Sequence, residues 1–433
     1  MHMERHVIVV SVDAMVYEDL EFMSKLPAFA GIWPQTARVN HVRSIYPTIT
    51  YPCHTTMQTG LYPNRHGIVN NEQPIMCETK SLWQHMRSMY RGKNIFDWAK
   101  ENGLTTAAVF WPVSGNDPSI DYNIAEYWPQ HGESDEQCFI DAGTSPEVVE
   151  KVLRPNLPLV KGRVRQHPYC DAFVMGCACA MIREFRPNLL MVHPANVDAY
   201  RHETGLFTRK VELALMETGL WMQQLIQETR NAGIYEQTDF FIVSDHGQIN
   251  VRRCIALNVK LAEAGLIDVD ADGNIVDWRA FCKSGGTSCL VYLKDPANRK
   301  DYEDTKALLD RLCAEEVYGI GRLYTTEEAD AEEHLSGPFS FVLETDGYTT
   351  FANDWRRPLV RPLDNQNYRF GRATHGHLPS KGPGPTLFAF GPHMKPGAVI
   401  ENAVLVDEAP TFAHALGIEM TGTDGVCLDA LFR

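Results

Sequence analysis

Five short apolar runs punctuate the chain: His6–Val12 (HVIVVSV), Thr105–Phe110 (TTAAVF), Asn188–His193 (NLLMVH), Asp239–Val243 (DFFIV) and Pro385–Phe390 (PTLFAF). Continuous runs rich in β-branched residues, with no polar alternation, predict strands buried on both faces, as in a parallel sheet. Helical patterns fall between and after them, at Tyr51–Thr59, Asn94–Asn102, Asp171–Phe185, Thr208–Ala232 and Val404–Leu416. The longest carries apolar Val211, Leu215, Leu220, Leu225 and Ile226. In the last, Ala409-Pro410 predicts that the regular helix starts only there. Strand alternating with helix is the pattern of an α/β core with a mostly parallel sheet.

The pattern changes after residue 250. A hairpin is expected around Asp272-Gly273, then a strand at Ser288–Leu293, a helix at Tyr302–Glu315 and a strand at Phe339–Glu344. Asp268–Asn274 resembles half a calcium loop, but position twelve is Arg279, where such a loop needs a bidentate Glu. Residues 251–353 are therefore read as a smaller α+β cap inserted into a discontinuous core, 1–250 and 354–433. Asn116–Gln166, rich in Pro, Gly and acidic residues, is expected to be an irregular surface excursion.

Length and charge narrow the partners. A chain of 433 residues suits one large α/β domain with an insertion, or two domains. A net charge of -15 argues against polymeric nucleic acid, but a small phosphorylated substrate is compatible if bound cations dominate locally. Eleven cysteines without a C-x-x-C pair suggest reduced thiols. The N-terminal apolar run is short for a signal peptide, and no 18-residue apolar run suggests a membrane span. A cytoplasmic location is expected, and the oligomeric state is left open.

Chemistry concentrates in Tyr46–Ile68 (YPTITYPCHTTMQTGLYPNRHGI). Thr50 stands at a helix entrance, where a hydroxyl serves as cap or as nucleophile. The stretch alone does not choose. Elsewhere, Asp13 follows the first strand, Asp198 and His202 stand four apart after the third, and Asp245-His246 follow the fourth. His375 comes from the later T-H-G-H segment, where His377 is not assigned to the same ion. Oxygen and imidazole donors without Cys suit zinc, manganese or iron in open catalytic sites. Two such ions about 4 Å apart serve phosphoryl displacement.

The ordered set resembles the alkaline phosphatase superfamily, and its type I phosphodiesterase/nucleotide pyrophosphatase branch in particular. Pro47-Thr48-Ile49-Thr50-Tyr51-Pro52-Cys53-His54 matches P-T-x-T-[FY]-P-x-H, and Thr59 to Ile68 matches T-G-x-x-P-x-x-H-G-I. Asn71, Trp111-Pro112 and His375-Gly376 also match, whereas Cys53 stands where many members have Asn. The resemblance implies an alkaline-phosphatase-like three-layer core and two Zn2+ ions. It implies Thr50 as nucleophile, with Asp13, Thr50, Asp245 and His246 on one ion and Asp198, His202 and His375 on the other. It further implies Asn71 and the Tyr51 amide on a phosphoryl oxygen. Tyr51, Trp111 and His377 are expected to touch a small phosphorylated substrate, possibly a nucleotide. A phosphonoacetate-type C–P hydrolase or a phosphomonoesterase would use the same set. A non-catalytic binding module would lack some of it.

Overall fold

The computed structural model describes residues 5–160, 162–365 and 370–433. Eight strands form the central sheet. They are β1 His6–Ser11, β2 Ala37–Arg43, β3 Thr106–Val109, β4 Tyr122–Ile124, β5 Leu189–Val192, β6 Thr238–Val243, β7 Leu387–Phe390 and β8 Val399–Val404. The spatial order is β8-β2-β7-β6-β1-β5-β3-β4. Every pairing is parallel except the two made by β7, so seven strands run one way and β7 runs against them.

Successive side chains of a strand point to opposite faces, and β1 shows the result directly. Ile8 and Val10 pack with Phe173, Leu215 and Leu225, from α2 (Tyr169–Phe185) and α4 (Arg209–Asn231). Val7 and Val9 pack with Cys53, Met57 and Phe412, from α1 (Thr50–Thr59) and α5 (Glu408–Leu416). Helices on both faces of one sheet make the three layers, as expected of an alkaline-phosphatase-like fold. Between α2 and α4 lies α3 (Asn196–Thr204), directly after β5. No helix among the described residues is long and apolar enough to cross a membrane.

The last two strands on one side of the sheet, the edge strand β8 and its neighbour β2, escape the apolar-run criterion. β2 (ARVNHVR) is half-buried with charged residues interspersed, and β8 is mostly exposed. The segment 116–166 is more ordered than its composition suggests. It holds the edge strand β4, a helix at Asp135–Asp141 and a helical stretch from Pro146 to Val160. Val148, Val149, Val152 and Leu153 bury one side of that stretch in the core, which outweighs the local Pro and charge content.

Within residues 251–353 a separate sheet forms, ordered Ala280–Ser284, Ser288–Leu293, Phe341–Thr345, Ile320–Thr325, all antiparallel. Leu308, Leu309 and Leu312 of helix Arg299–Ala314 cover it. Arg253–Ile255 joins Thr349–Phe351 and Val360–Arg361 in a second small sheet. The 267–278 hairpin turns at Gly273 (φ +80°), with the Asp270 carboxylate accepting the Asp272 and Asn274 amides.

Candidate active site

The carboxyl ends of β1, β5 and β6 point the same way, and that edge of an open α/β sheet is where ligands bind. Asp13 leaves β1, Asp198 and His202 sit on α3 just after β5, and Asp245-His246 leave β6. His375 follows the bridge strand Ala373–Thr374, which pairs with Ile249–Asn250 and so returns it to the β6 loop. The result is two donor groups, Asp13/Asp245/His246 and Asp198/His202/His375. Within each, the ligand atoms lie within 4.8 Å of one another. These are the sets implied by the sequence resemblance.

Thr50 is the first residue of α1. Ile49 holds the cap position, and no side chain caps the helix. The Thr50 hydroxyl points instead to the first donor group, with Oγ1 3.2 Å from His246 Nε2. Gly60 in the left-handed conformation (φ +67°) ends the helix. The stretch before Thr50 is tied to the His375 turn, since the Gly376 amide donates to the Thr48 carbonyl at 2.8 Å.

The electrostatics of these groups are those of a cation site. Asp13 Oδ1 and Asp245 Oδ2 are buried without a hydrogen-bond partner among the described residues. Burial, then the Asp245 charge, pushes Asp13 well above the carboxylate range. Burial raises Asp245 to about 7, against the opposing pull of His193 and the Ala14 amide. Burial also lowers His246 to about 4, keeping its imidazole a neutral donor. At Asp198, burial is outweighed by His202 and then His375, which hold its carboxyl low. Two crowded carboxylates and a neutral imidazole are stabilised together by a divalent ion, which removes the repulsion that otherwise retains a proton.

A surrounding layer orients these ligands. His193 Nε2 lies 3.1 Å from Asp13 Oδ2, and its Nδ1 faces Glu126 at 3.8 Å. His54 Nδ1 sits 3.4 Å from Asp245 Oδ2 and 2.9 Å from the Thr50 carbonyl. Ala373 O is 2.7 Å from His202 Nδ1, and Gln248 Nε2 donates to Asp198. The insertion holds His375 from below, with the Thr287 amide and hydroxyl donating to its carbonyl at 3.0 and 2.8 Å. Such partners fix ring orientation and ligand basicity. His54 and His193 were not among the expected site residues. His54 closes the quoted P-T-x-T-[FY]-P-x-H segment and His193 ends the β5 run, so a signal for both is present.

Both donor groups open into one cavity of about 830 Å³. Asn71 lines it, with Oδ1 accepting the Tyr51 amide at 2.8 Å. The Tyr51 N–H therefore orients Asn71, leaving the Asn71 Nδ2 as the donor. Three expected substrate contacts do not line the cavity. Tyr51 is fully buried, edge-on to Trp83 at 5.1 Å, with its hydroxyl 3.0 Å from His85 Nδ1. Trp111 is fully buried against His54, at 4.8 Å between rings. His377 is buried, its Nδ1 2.9 Å from the Leu378 carbonyl. In each case the ring completes the packing beneath the site. The aromatic rim is supplied by Trp83 and Trp128, edge to face at 5.1 Å, with the Arg165 guanidinium 4.0 Å over Trp128. These residues come from 72–94 and 116–170, where the family motifs do not extend.

The family model for type I phosphodiesterase / nucleotide pyrophosphatase matches residues 7–376. The chain belongs to this family. Among curated family members, human ectonucleotide pyrophosphatase/phosphodiesterase family member 1 is 24% identical over 251 residues, 56% of this chain and 24% of the relative. Ectonucleotide pyrophosphatase/phosphodiesterase 2 of Saccharomyces cerevisiae is 25% identical over 282 residues, 63% of this chain and 51% of the relative. The chain thus matches between about a quarter and a half of these relatives' lengths. Among solved structures, an inactive murine ectonucleotide pyrophosphatase/phosphodiesterase 5 in complex with AMP superimposes with a TM-score of 0.69 at 17% identity. It covers 99% of this chain and 100% of that one, and the likeness is one of fold.

Proposed function

We propose that the chain is a two-metal hydrolase cleaving phosphodiester or nucleotide pyrophosphate bonds through a phospho-threonine intermediate. The observation that carries the reading is the Thr50 hydroxyl beside His246, at the floor of a cavity that both donor groups share. The donor chemistry fits two divalent ions, zinc first, with manganese or iron as alternatives. Asp13, Asp245, His246 and Thr50 would hold one, and Asp198, His202 and His375 the other. Bound there, the ions would supply Lewis-acid charge, lowering the hydroxyl pKa and neutralising phosphoryl oxygens.

The chain's own groups do the rest. Thr50 Oγ attacks phosphorus in line, and the leaving oxygen departs on the far side. Asn71 Nδ2 donates to a non-bridging oxygen whose charge grows in the transition state. His54 and His193 hold Asp245 and Asp13 in place. Water then cleaves the Thr50–phosphorus ester. Trp83 and Trp128 offer aromatic faces to the leaving moiety, which favours a nucleotide or aryl ester. The AMP held by the murine structural neighbour is consistent with such a substrate.

Steady-state rates on bis-p-nitrophenyl phosphate, p-nitrophenyl phosphate and phosphonoacetate test the reading. Preference for the diester is expected. Preference for the monoester or the phosphonate would overturn it.

A further inference from the structure

The cavity that Thr50 lines also includes a histidine that the proposed ligand sets do not use. His167 precedes α2 and lines the cavity. Its Nδ1 lies 2.6 Å from Oδ2 of Asp171, a fully buried carboxylate one helical turn on. The other Asp171 oxygen accepts the Ala195 amide at 2.8 Å, from the loop that delivers Asp198. The carboxylate is therefore fixed from two elements. With Nδ1 donating to it, Nε2 is the atom left for the cavity, and no described residue partners it.

This imidazole differs in electrostatics from its neighbours. Burial lowers His193 to about 4 and His375 well below its ordinary value. Burial also acts against the charge of His167, but the Asp171 carboxylate outweighs it and raises the group. The other charges facing it are Asp198, Arg165 and Glu217, two acids and one base. The Asp171 carboxylate thus favours the protonated imidazole. In-line attack by Thr50 sends the leaving oxygen to the side of phosphorus away from Thr50, within the cavity that Asp198 and His167 also line.

We propose that His167, held by Asp171, is the proton donor to the leaving oxygen and the base for the second half-reaction. The proposal rests on the phospho-threonine reading above. In the first step Thr50, its proton already released to solvent, forms the Oγ–phosphorus bond. The bond from phosphorus to the leaving oxygen breaks with its electron pair on that oxygen, which takes the Nε2 proton and leaves as a hydroxyl compound. Neutral His167 then accepts a proton from water as the water oxygen bonds to phosphorus. The Thr50 oxygen leaves with its electron pair, and both groups return to their starting states.

A proton donor matters most for poor leaving groups. His167→Gln is therefore expected to lower kcat on diphenyl phosphate by about 100-fold and on bis-p-nitrophenyl phosphate by less than about 10-fold. The alkaline limb of the diphenyl phosphate profile should disappear in the variant, with metal content unchanged. Asp171→Asn should give the same substrate-dependent pattern. Independently of any variant, the wild-type chain should become more sensitive to leaving-group basicity as pH rises. Equal losses on both substrates, or a leaving-group sensitivity independent of pH, would overturn the role of His167 while leaving the hydrolase reading intact. A wild-type chain with no turnover on either diester would overturn both.

Discussion

The crowding of Asp13 and Asp245 makes metal binding a pH-dependent stabiliser, and the size of the effect can be worked from Asp245. Its carboxyl is raised to about 7, mainly by burial. The sign follows from linkage. The metal-free fold retains a proton that the unfolded chain has lost, so this group's contribution is complete at low pH and declines as pH rises toward 7. A cation reverses the trend, because it binds only the ionised carboxylate. At pH 5, a group with pKa near 7 is ionised in about one molecule in a hundred. Apparent zinc affinity should then be weaker than in alkaline solution by about two decades, or roughly 3 kcal/mol. Unfolding entropy of ~2.1 cal/mol/K per residue over 433 residues comes to ~0.9 kcal/mol/K. The zinc-induced rise in Tm should therefore be about 3 °C larger at pH 7.5 than at pH 5 from Asp245 alone, and Asp13 acts in the same direction. Thermal scans of chelator-treated protein, with and without fixed free zinc at each pH, measure it. Asp245→Asn should raise the Tm of the metal-free chain at pH 7.5 and remove the pH dependence that Asp245 gives to the zinc response. A zinc-induced shift equal at the two pH values would refute the reasoning.

Thr50→Ala should lower diester turnover by at least ~10³-fold while about two ions per chain remain by elemental analysis, and unchanged turnover would exclude Thr50 as nucleophile. Gly376→Ala should cost ~2 kcal/mol or more. Its φ is +102° and a Cβ would meet the Gly285 carbonyl at 2.1 Å, so metal content should fall toward one ion as His375 shifts. Full metal content in that variant would contradict the clasp on His375. Trp128→Ala should raise KM about tenfold for nucleotide and aryl diesters with little change in kcat, the loss expected from ~1.4 kcal/mol of stacking. An unchanged KM would place the substrate's ring elsewhere in the cavity.

The six metal-ligand candidates other than Thr50 are legible because Asp and His at the ends of buried runs are conspicuous against a strand's apolar interior. Thr50 is harder, since a hydroxyl at a helix entrance reads as a cap. The family resemblance implies the nucleophile, and the structure adds that Ile49 occupies the cap position and Oγ1 faces His246. Tyr51, Trp111 and His377 show the limit of reading from proximity in sequence. Each neighbours a site residue or motif, yet each side chain turns into the packing below. Trp83, Trp128 and Arg165 are invisible for the opposite reason. They come from loops without periodicity, and only the tertiary paths of 72–94 and 116–170 bring them to the cavity. β2 and β8 are missed because strands at the margin of the sheet, exposed on part of their surface, need no continuous apolar run.

The clasp that Thr287 places on the His375 carbonyl bears on how such a chain can be re-engineered. Gly286 and Gly376 approach each other's turn so closely that a Cβ on either would collide with backbone oxygen, at 2.5 and 2.1 Å. A chimera that exchanges the insertion for another family member's must therefore carry over this paired glycine joint. Without it, the graft alters the cavity wall and loosens a ligand in the same stroke. On the proposed two-metal reading, substrate range and metal retention are in this way inherited together.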